Sequence, residues 1–172
     1  MRKIVSNATP LIYLAKIGKL RLLRRIFGQV IISEEVKREV VDGGKELGKM
    51  DAYLIEKEIK EGWIKVSKIE KLIDIPIKLE KGEVATLTLA KNLEVREVLV
   101  DEICARTASE ILGLTPRGTI FVLLKALKIK EISFDEFLRI LEKLLKEGFR
   151  LREEVYIEAV ETAKKIAQSL QE

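Results

Sequence analysis

The sequence has no histidine and only one cysteine, Cys104. With so few soft or imidazole ligands, a zinc centre of ordinary composition cannot be assembled, and no imidazole can serve as a general base. A lone thiol also excludes an internal disulfide and agrees with a reducing compartment. No stretch approaches the roughly 18 uninterrupted apolar residues that a bilayer span requires. The opening MRKIVSNATPLIYLAKIGKL is interrupted by Pro10, Lys16 and Lys19, so it does not read as a signal peptide. The expectation is a cytoplasmic protein with no membrane partner. No glycine-rich loop follows the first apolar strand, which argues against a nucleotide-binding domain. Asparagine and glutamine are scarce, while 35% of the residues are charged. That balance resembles proteins of thermophiles, in which ion-pair networks replace thermolabile side chains.

The 172 residues suffice for one domain with a core of its own. The net charge is only +4, but it is unevenly placed. Residues 1–28 contain Arg2, Lys3, Lys16, Lys19, Arg21, Arg24 and Arg25 and no acid. Such a segment can meet phosphate or an acidic partner, or it can be a solvated helix face balanced elsewhere, and charge alone leaves both open.

Periodicity alternates strands with helices. Ile4 to Ser6 reads as a strand, and Thr9 before Pro10 as a hydroxyl N-cap starting a helix that runs to Gly18. A basic helix, LRLLRRIF, ends at Gly28, and Val30 to Ile32 is the next strand. Ser33 caps a helix that stops at Gly43-Gly44, and a further helix covers 46–61. Trp63 to Val66 and Val98 to Val100 read as strands, with loop over 68–81 and helices near Gly82–Asn92 and Glu102–Gly113. A short fifth strand falls around Leu114 and Thr115, and three helices close the chain: 119–128, one capped by Ser133 with Glu136, and 151–170. This order implies right-handed crossovers and a parallel sheet covered on both faces. The expected arrangement is a domain over 1–150, with the helix of 151–172 packed on the same domain.

In such sheets ligand chemistry gathers beyond the carboxyl ends of the strands. Asn7 follows the first strand and Asp101 the fourth. Glu39 lies one turn after Glu35, Glu83 opens the helix GEVATLTLA, and Glu102 follows Asp101. A set of carboxylates plus an amide suits Mg²⁺ or Mn²⁺, which take oxygen ligands and retain waters. Each acid also has a plainer reading as a helix N-terminal charge or surface ion-pair member, and spacing alone leaves both readings standing. Cys104 is most simply a small buried residue, and Arg106, four after Glu102, a surface pair.

Five segments, taken together, resemble a family. IVSNATPLIYLAKIGKL, VIISEEVKREV, LEKGEVATLTLA, VLVDEICARTASEILGL and RGTIFVLLKAL are similar to successive blocks of a prokaryotic PIN-like subfamily related to VapC-type toxins. The resemblance implies a three-layer α/β/α sandwich with a five-stranded parallel sheet, strands one and four side by side at its centre, and extra C-terminal helices. It further implies a metal-dependent endoribonuclease that cuts single-stranded RNA, often as the toxin of a toxin–antitoxin pair and often as a homodimer. By the same resemblance the family's acids fall on Asn7, Glu39, Glu83 and Asp101. Asn7, Glu83 and Asp101 would hold Mg²⁺ or Mn²⁺, and Glu39 would orient water or a second ion. Thr9, Glu102, Arg106 and Thr119 would support the site, while Arg21, Arg24, Arg25 and Arg117 would hold the RNA. Asn7 stands where most members carry aspartate. The alternative expectation is therefore a catalytically silent PIN-like module that binds RNA or a partner protein.

Overall fold

A computed structural model describes residues 2–172. By internal packing the chain divides into two compact units, one ending at Thr119 and the other spanning 120–172.

The first unit is built on five parallel strands: β1 (Lys3–Ser6), β2 (Gln29–Ser33), β3 (Ile64–Ser67), β4 (Glu97–Leu99) and β5 (Thr115–Arg117), in the order β3-β2-β1-β4-β5. β1 is central with β4 beside it, as the resemblance implies. Helices cover both faces of the sheet, and most residues of β1 and β2 are buried. Val5, Ile31 and Val98 join a core with Leu87, Leu89 and Ala90 of α6 (Lys81–Asn92) and Ala105 and Ala108 of α7 (Ile103–Ile111). Their neighbours Ile4, Val30 and Ile32, one residue out of phase, are fully buried on the opposite face. Cys104, expected to be buried in this core, is exposed instead. α1 (Ala8–Lys16), α2 (Leu22–Phe27) and α5 (Met50–Glu61) account for the remaining crossovers.

Two expectations about helix ends are corrected. Thr9 is not the N-cap of α1: Asn7 is, with extended backbone (φ −80°, ψ 177°), and Thr9 already lies in the first helical turn. The switch from strand to helix falls on the polar residue that closes β1, and Pro10 tolerates the third helical position because no intrahelical acceptor is needed there. The helix after β2 does not stop at Gly43-Gly44 either. α3 (Glu34–Lys37) runs into a π-helical turn, Arg38–Gly43, and then into α4 (Gly44–Glu46), while α5 begins only at Met50. Both glycines keep helical backbone, φ −64° at Gly43 and −66° at Gly44, and Gly44 serves a contact. A side-chain carbon on Gly44 would lie 2.7 Å from Ala52 Cβ, so bare backbone is what lets this segment approach α5.

The second unit is helical, with α8 (Thr119–Lys128) leading into α9 (Phe134–Lys146) and α10 (Glu153–Ser169). Ser133 Oγ accepts from Glu136 N at 3.1 Å, satisfying one of the free donors at the start of α9. Phe137, Ile140, Leu141 and Leu144 form its buried stripe at helical spacing, and α10 buries Ala159 and Ala163. No described helix is long and apolar enough to cross a membrane.

Candidate active site

From β1 the chain winds one way through β2 to β3; from β4 it turns the other way to β5. The change of direction falls between β1 and β4, at whose carboxyl ends ligands gather in sheets of this kind and where Asn7 and Asp101 follow their strands. The edge is tied together by main chain. Asn7 N donates to Leu99 O at 3.0 Å, and Val100 N donates to Arg117 O at 2.8 Å.

Asn7 is buried, and its side chain makes no capping bond to its own helix. Opposite it, Ser33 Oγ accepts from Val36 N at 3.0 Å and starts α3, whose continuation into the π-helical turn carries Glu39. π-helical turns place side chains where regular helix would not, and they recur at functional sites. Between the two lies Gly82, in the first turn of α6. A side-chain carbon there would stand 3.2 Å from Glu39 Oε2 and 3.6 Å from Asn7 Oδ1. Bare backbone at Gly82 thus leaves a cradle into which both oxygens face.

The next residue, Glu83, is buried. Burial, above all, pushes its carboxyl upward from the ordinary range, and the charges of Glu80, Glu102 and Glu39 add to this. A hydrogen bond from the Glu80 backbone opposes them. Glu39 is raised in the same way, by burial of its carboxylate and then by Glu80, although the residue as a whole is exposed. Glu83 therefore senses Glu39, Glu80 and Glu102 at once, which is a crowding of like charges in a half-shielded crevice. Glu35 shares a cleft with Glu39 and Glu80: Oε2 is buried with no hydrogen-bond partner, while Oε1 is 3.9 Å from Arg38 Nη1.

Asp101 is held differently. Oδ1 accepts from Thr119 N at 2.8 Å and Oδ2 from Thr119 Oγ1 at 2.7 Å. Burial raises its carboxyl strongly enough to outweigh both bonds; Glu102 raises it further and Arg106 lowers it. Gly118 makes room, since a side-chain carbon there would come within 3.0 Å of Asp101 Oδ1 and 3.1 Å of Arg106 Nη1. Arg106 Nη1 donates to Val100 O at 3.1 Å, so this guanidinium lies beside Asp101. Thr9 Oγ1 donates to Glu102 Oε1 at 3.4 Å.

Two groups therefore line the edge: Asn7, Glu39 and Glu83 around Gly82, and Asp101 with Thr119 and Arg106 around Gly118. The charge of Glu102 acts on both Glu83 and Asp101. The four arginines assigned to RNA lie in other company. Arg21 Nε donates to Glu58 Oε1 at 2.9 Å and Arg24 lies 3.9 Å from Glu61, both acids on α5, while Arg117 Nε donates to Glu97 Oε2 at 3.0 Å. Arg25 is exposed near the end of α2. Sequence reasoning overlooked Glu80. It occupies the N-cap of α6, three residues before Glu83, and that capping spacing was the signal that could have found it.

The family model described as DUF3368, PIN domain, matches residues 3–165. The chain belongs to the PIN-domain family. The match runs through both units of the chain and takes in every residue of the candidate site. No curated protein matches it. Among solved structures, a domain of a functionally unknown protein from Methanocaldococcus jannaschii DSM 2661 is similar at 14% identity with a TM-score of 0.47, over 69% of this chain and 91% of that one.

PIN domains are nucleases as a class and typically use divalent metals, which supports a hydrolytic role for this one. Among the described residues, no group of three or more acid side chains stands close enough to form a ready-made cage. The donors nevertheless fit a hard cation. Mg²⁺ and Mn²⁺ need only one or two carboxylates when waters and substrate oxygens complete the shell. Glu35 Oε2 is a buried oxygen with no hydrogen-bond partner, and the bare backbone of Gly82 faces the oxygens of Glu39 and Asn7.

Proposed function

We propose that this PIN domain is a metal-dependent endoribonuclease acting on single-stranded RNA. The observation that carries the proposal is the crowding of Glu39, Glu80, Glu83 and Glu102 beside the amide of Asn7 at the switch in strand direction. Carboxylates in that number repel one another, and they would repel a phosphodiester, unless a cation joins them. Asn7, Glu83 and Asp101 would hold Mg²⁺ or Mn²⁺, which when bound activates water and neutralises charge developing on phosphate. Glu39, near Asn7 across the cradle, would orient the attacking water. Thr119 fixes the carboxylate plane of Asp101, and Arg106 shields its charge from Glu102. With no histidine in the chain, a site carboxylate is the group we assign to receive the proton that leaves the water. The biological setting we attach to this reading is a toxin restrained by a small antitoxin protein.

The test is cleavage of a labelled single-stranded oligoribonucleotide. It should require Mn²⁺ or Mg²⁺, stop in EDTA, and be abolished by Asp101→Asn. Cleavage that survives both treatments would place the activity elsewhere.

A second reading, a silent module that binds RNA or a partner protein, is favoured by one feature. Asn7 brings an oxygen but no charge to the cradle. Metal-independent RNA binding without cleavage would favour that reading.

A further inference from the structure

We infer that Arg38 and Lys81 are the pair of cations that grip the phosphodiester backbone of the substrate strand at the mouth of the acidic cradle. The inference rests on the ribonuclease reading and deepens it by naming how the strand is held.

The cleft beside the cradle is lined by Glu35, Arg38, Glu39, Glu80, Lys81 and Gly82. Three of the six are acids, so a phosphate entering there meets net repulsion unless fixed positive charge receives it. Arg38 and Lys81 are the two cations among these lining residues, and they come from different walls: Arg38 opens the π-helical turn and Lys81 opens α6. Arg38 immediately precedes Glu39 and Lys81 immediately precedes Gly82, so both charges sit one residue from the cradle. Both are exposed. The partners of Arg38 are Glu34 at 3.6 Å and Glu35 at 3.9 Å, long and solvent-screened contacts from which a phosphate can draw it. Arg21 differs, since its Nε bonds the buried Glu58 at 2.9 Å, and Glu58 also accepts from Trp63 Nε1. Taking Arg21 for RNA would break a short bond to a buried carboxylate; taking Arg38 gives up only the two long contacts. The forked guanidinium suits a bidentate grip on phosphate, and the lysine supplies a point charge opposite. Contacts of this kind position the strand and carry no sequence information.

The experiment measures binding by anisotropy in Mn²⁺ at several salt concentrations. The probe is a labelled single-stranded phosphorothioate oligoribonucleotide, which keeps the charge of RNA and resists hydrolysis. Wild type is compared with the double variant Arg38→Gln/Lys81→Gln and with Lys60→Gln as a control that removes an exposed cation outside the cleft lining. Thermal melts establish that all three are folded, and both substituted positions of the double variant are exposed. The double variant should bind more weakly and flatten the log–log salt slope by about 1.4, or roughly 0.7 for each phosphate of a single strand that is no longer neutralised. The weakening should be equal for two unrelated base sequences, and Lys60→Gln should leave the slope near that of wild type. If wild type binds and the double variant keeps its slope, the inference is overturned while the ribonuclease reading stands. If wild type does not bind RNA at all, both fall.

Discussion

Asn7 is the residue on which activity turns. A neutral amide among Glu39, Glu83 and Glu102 relieves repulsion in the metal-free protein and deprives a cation of one anionic ligand. Asn7→Asp reverses both effects. The variant should melt lower than wild type in EDTA and gain more from Mn²⁺, because a ligand that binds only the folded state stabilises it according to its affinity. Paired melts with and without Mn²⁺ check this, and unchanged melts in both would remove Asn7 from the coordination sphere. Gly82 makes the complementary case. The carbon added by Gly82→Ala meets the end of a flexible side chain, Glu39 Oε2 at 3.2 Å, so the fold should survive. The cradle would be filled, however, and the stabilisation by Mn²⁺ should shrink relative to wild type. At Asp101 the hydroxyl can be removed alone: Thr119→Val deletes the 2.7 Å bond to Oδ2 and leaves the 2.8 Å bond from the backbone. A charge-assisted bond of this kind is worth about 1.5–3 kcal/mol, and urea denaturation should register a loss of that order.

At the scale of elements, the strands and the helices that cover them were legible because buried apolar runs alternate with polar, capped starts. The strands shifted only slightly, as with β4, expected over 98–100 and found over Glu97–Leu99. The end of the helix after β2 was not legible. Gly43-Gly44 carries the composition of a stop, yet the decisive fact is tertiary: Gly44 packs on Ala52 of the following helix, a contact that no regular repeat announces. The π-helical turn that results leaves no periodic trace in so short a span, although it carries Glu39. The site was read in part. Strand-end residues Asn7 and Asp101 announce themselves, whereas Glu80 falls in a stretch read as loop, with only its three-residue spacing to Glu83 to mark it as a helix start. Gly44→Ala tests the packing account. A carbon 2.7 Å from Ala52 Cβ overpacks the contact, with an expected cost of about 1–3 kcal/mol. Ala52→Gly in the same chain should recover part of that cost in chemical denaturation, which a purely local helix effect would not allow.

Over the whole molecule, the acids of the site and the acids of the surface respond to pH in opposite directions. Glu39, Glu83 and Asp101 are each raised above their ordinary values of 4.5, 4.5 and 3.8, in every case chiefly by burial. A raised carboxylate holds its proton more tightly folded than unfolded. The cost of ionising it is therefore absent below the unfolded value and fully present above the folded one, and stability falls as pH rises between the two. Glu97 is lowered because its bonds from Arg117 and Arg2 outweigh its burial, and Glu56 is lowered by Lys45. Those two stabilise the fold above their unfolded value of 4.5 and lose that contribution only as pH falls through their depressed values. In the interval above the ordinary carboxylate range, then, the raised site acids pull stability down as pH rises. In EDTA the melting temperature should decline as pH rises through that interval, and Glu39→Gln/Glu83→Gln should flatten the decline. With Mn²⁺ present the sign should reverse, because a cation binds only the ionised carboxylates and its contribution to stability grows with pH. Melts over that interval with EDTA and with Mn²⁺ check both halves. Parallel curves in the two conditions would mean that no divalent ion joins these carboxylates, and the crowded acids would then serve something other than metal-assisted hydrolysis.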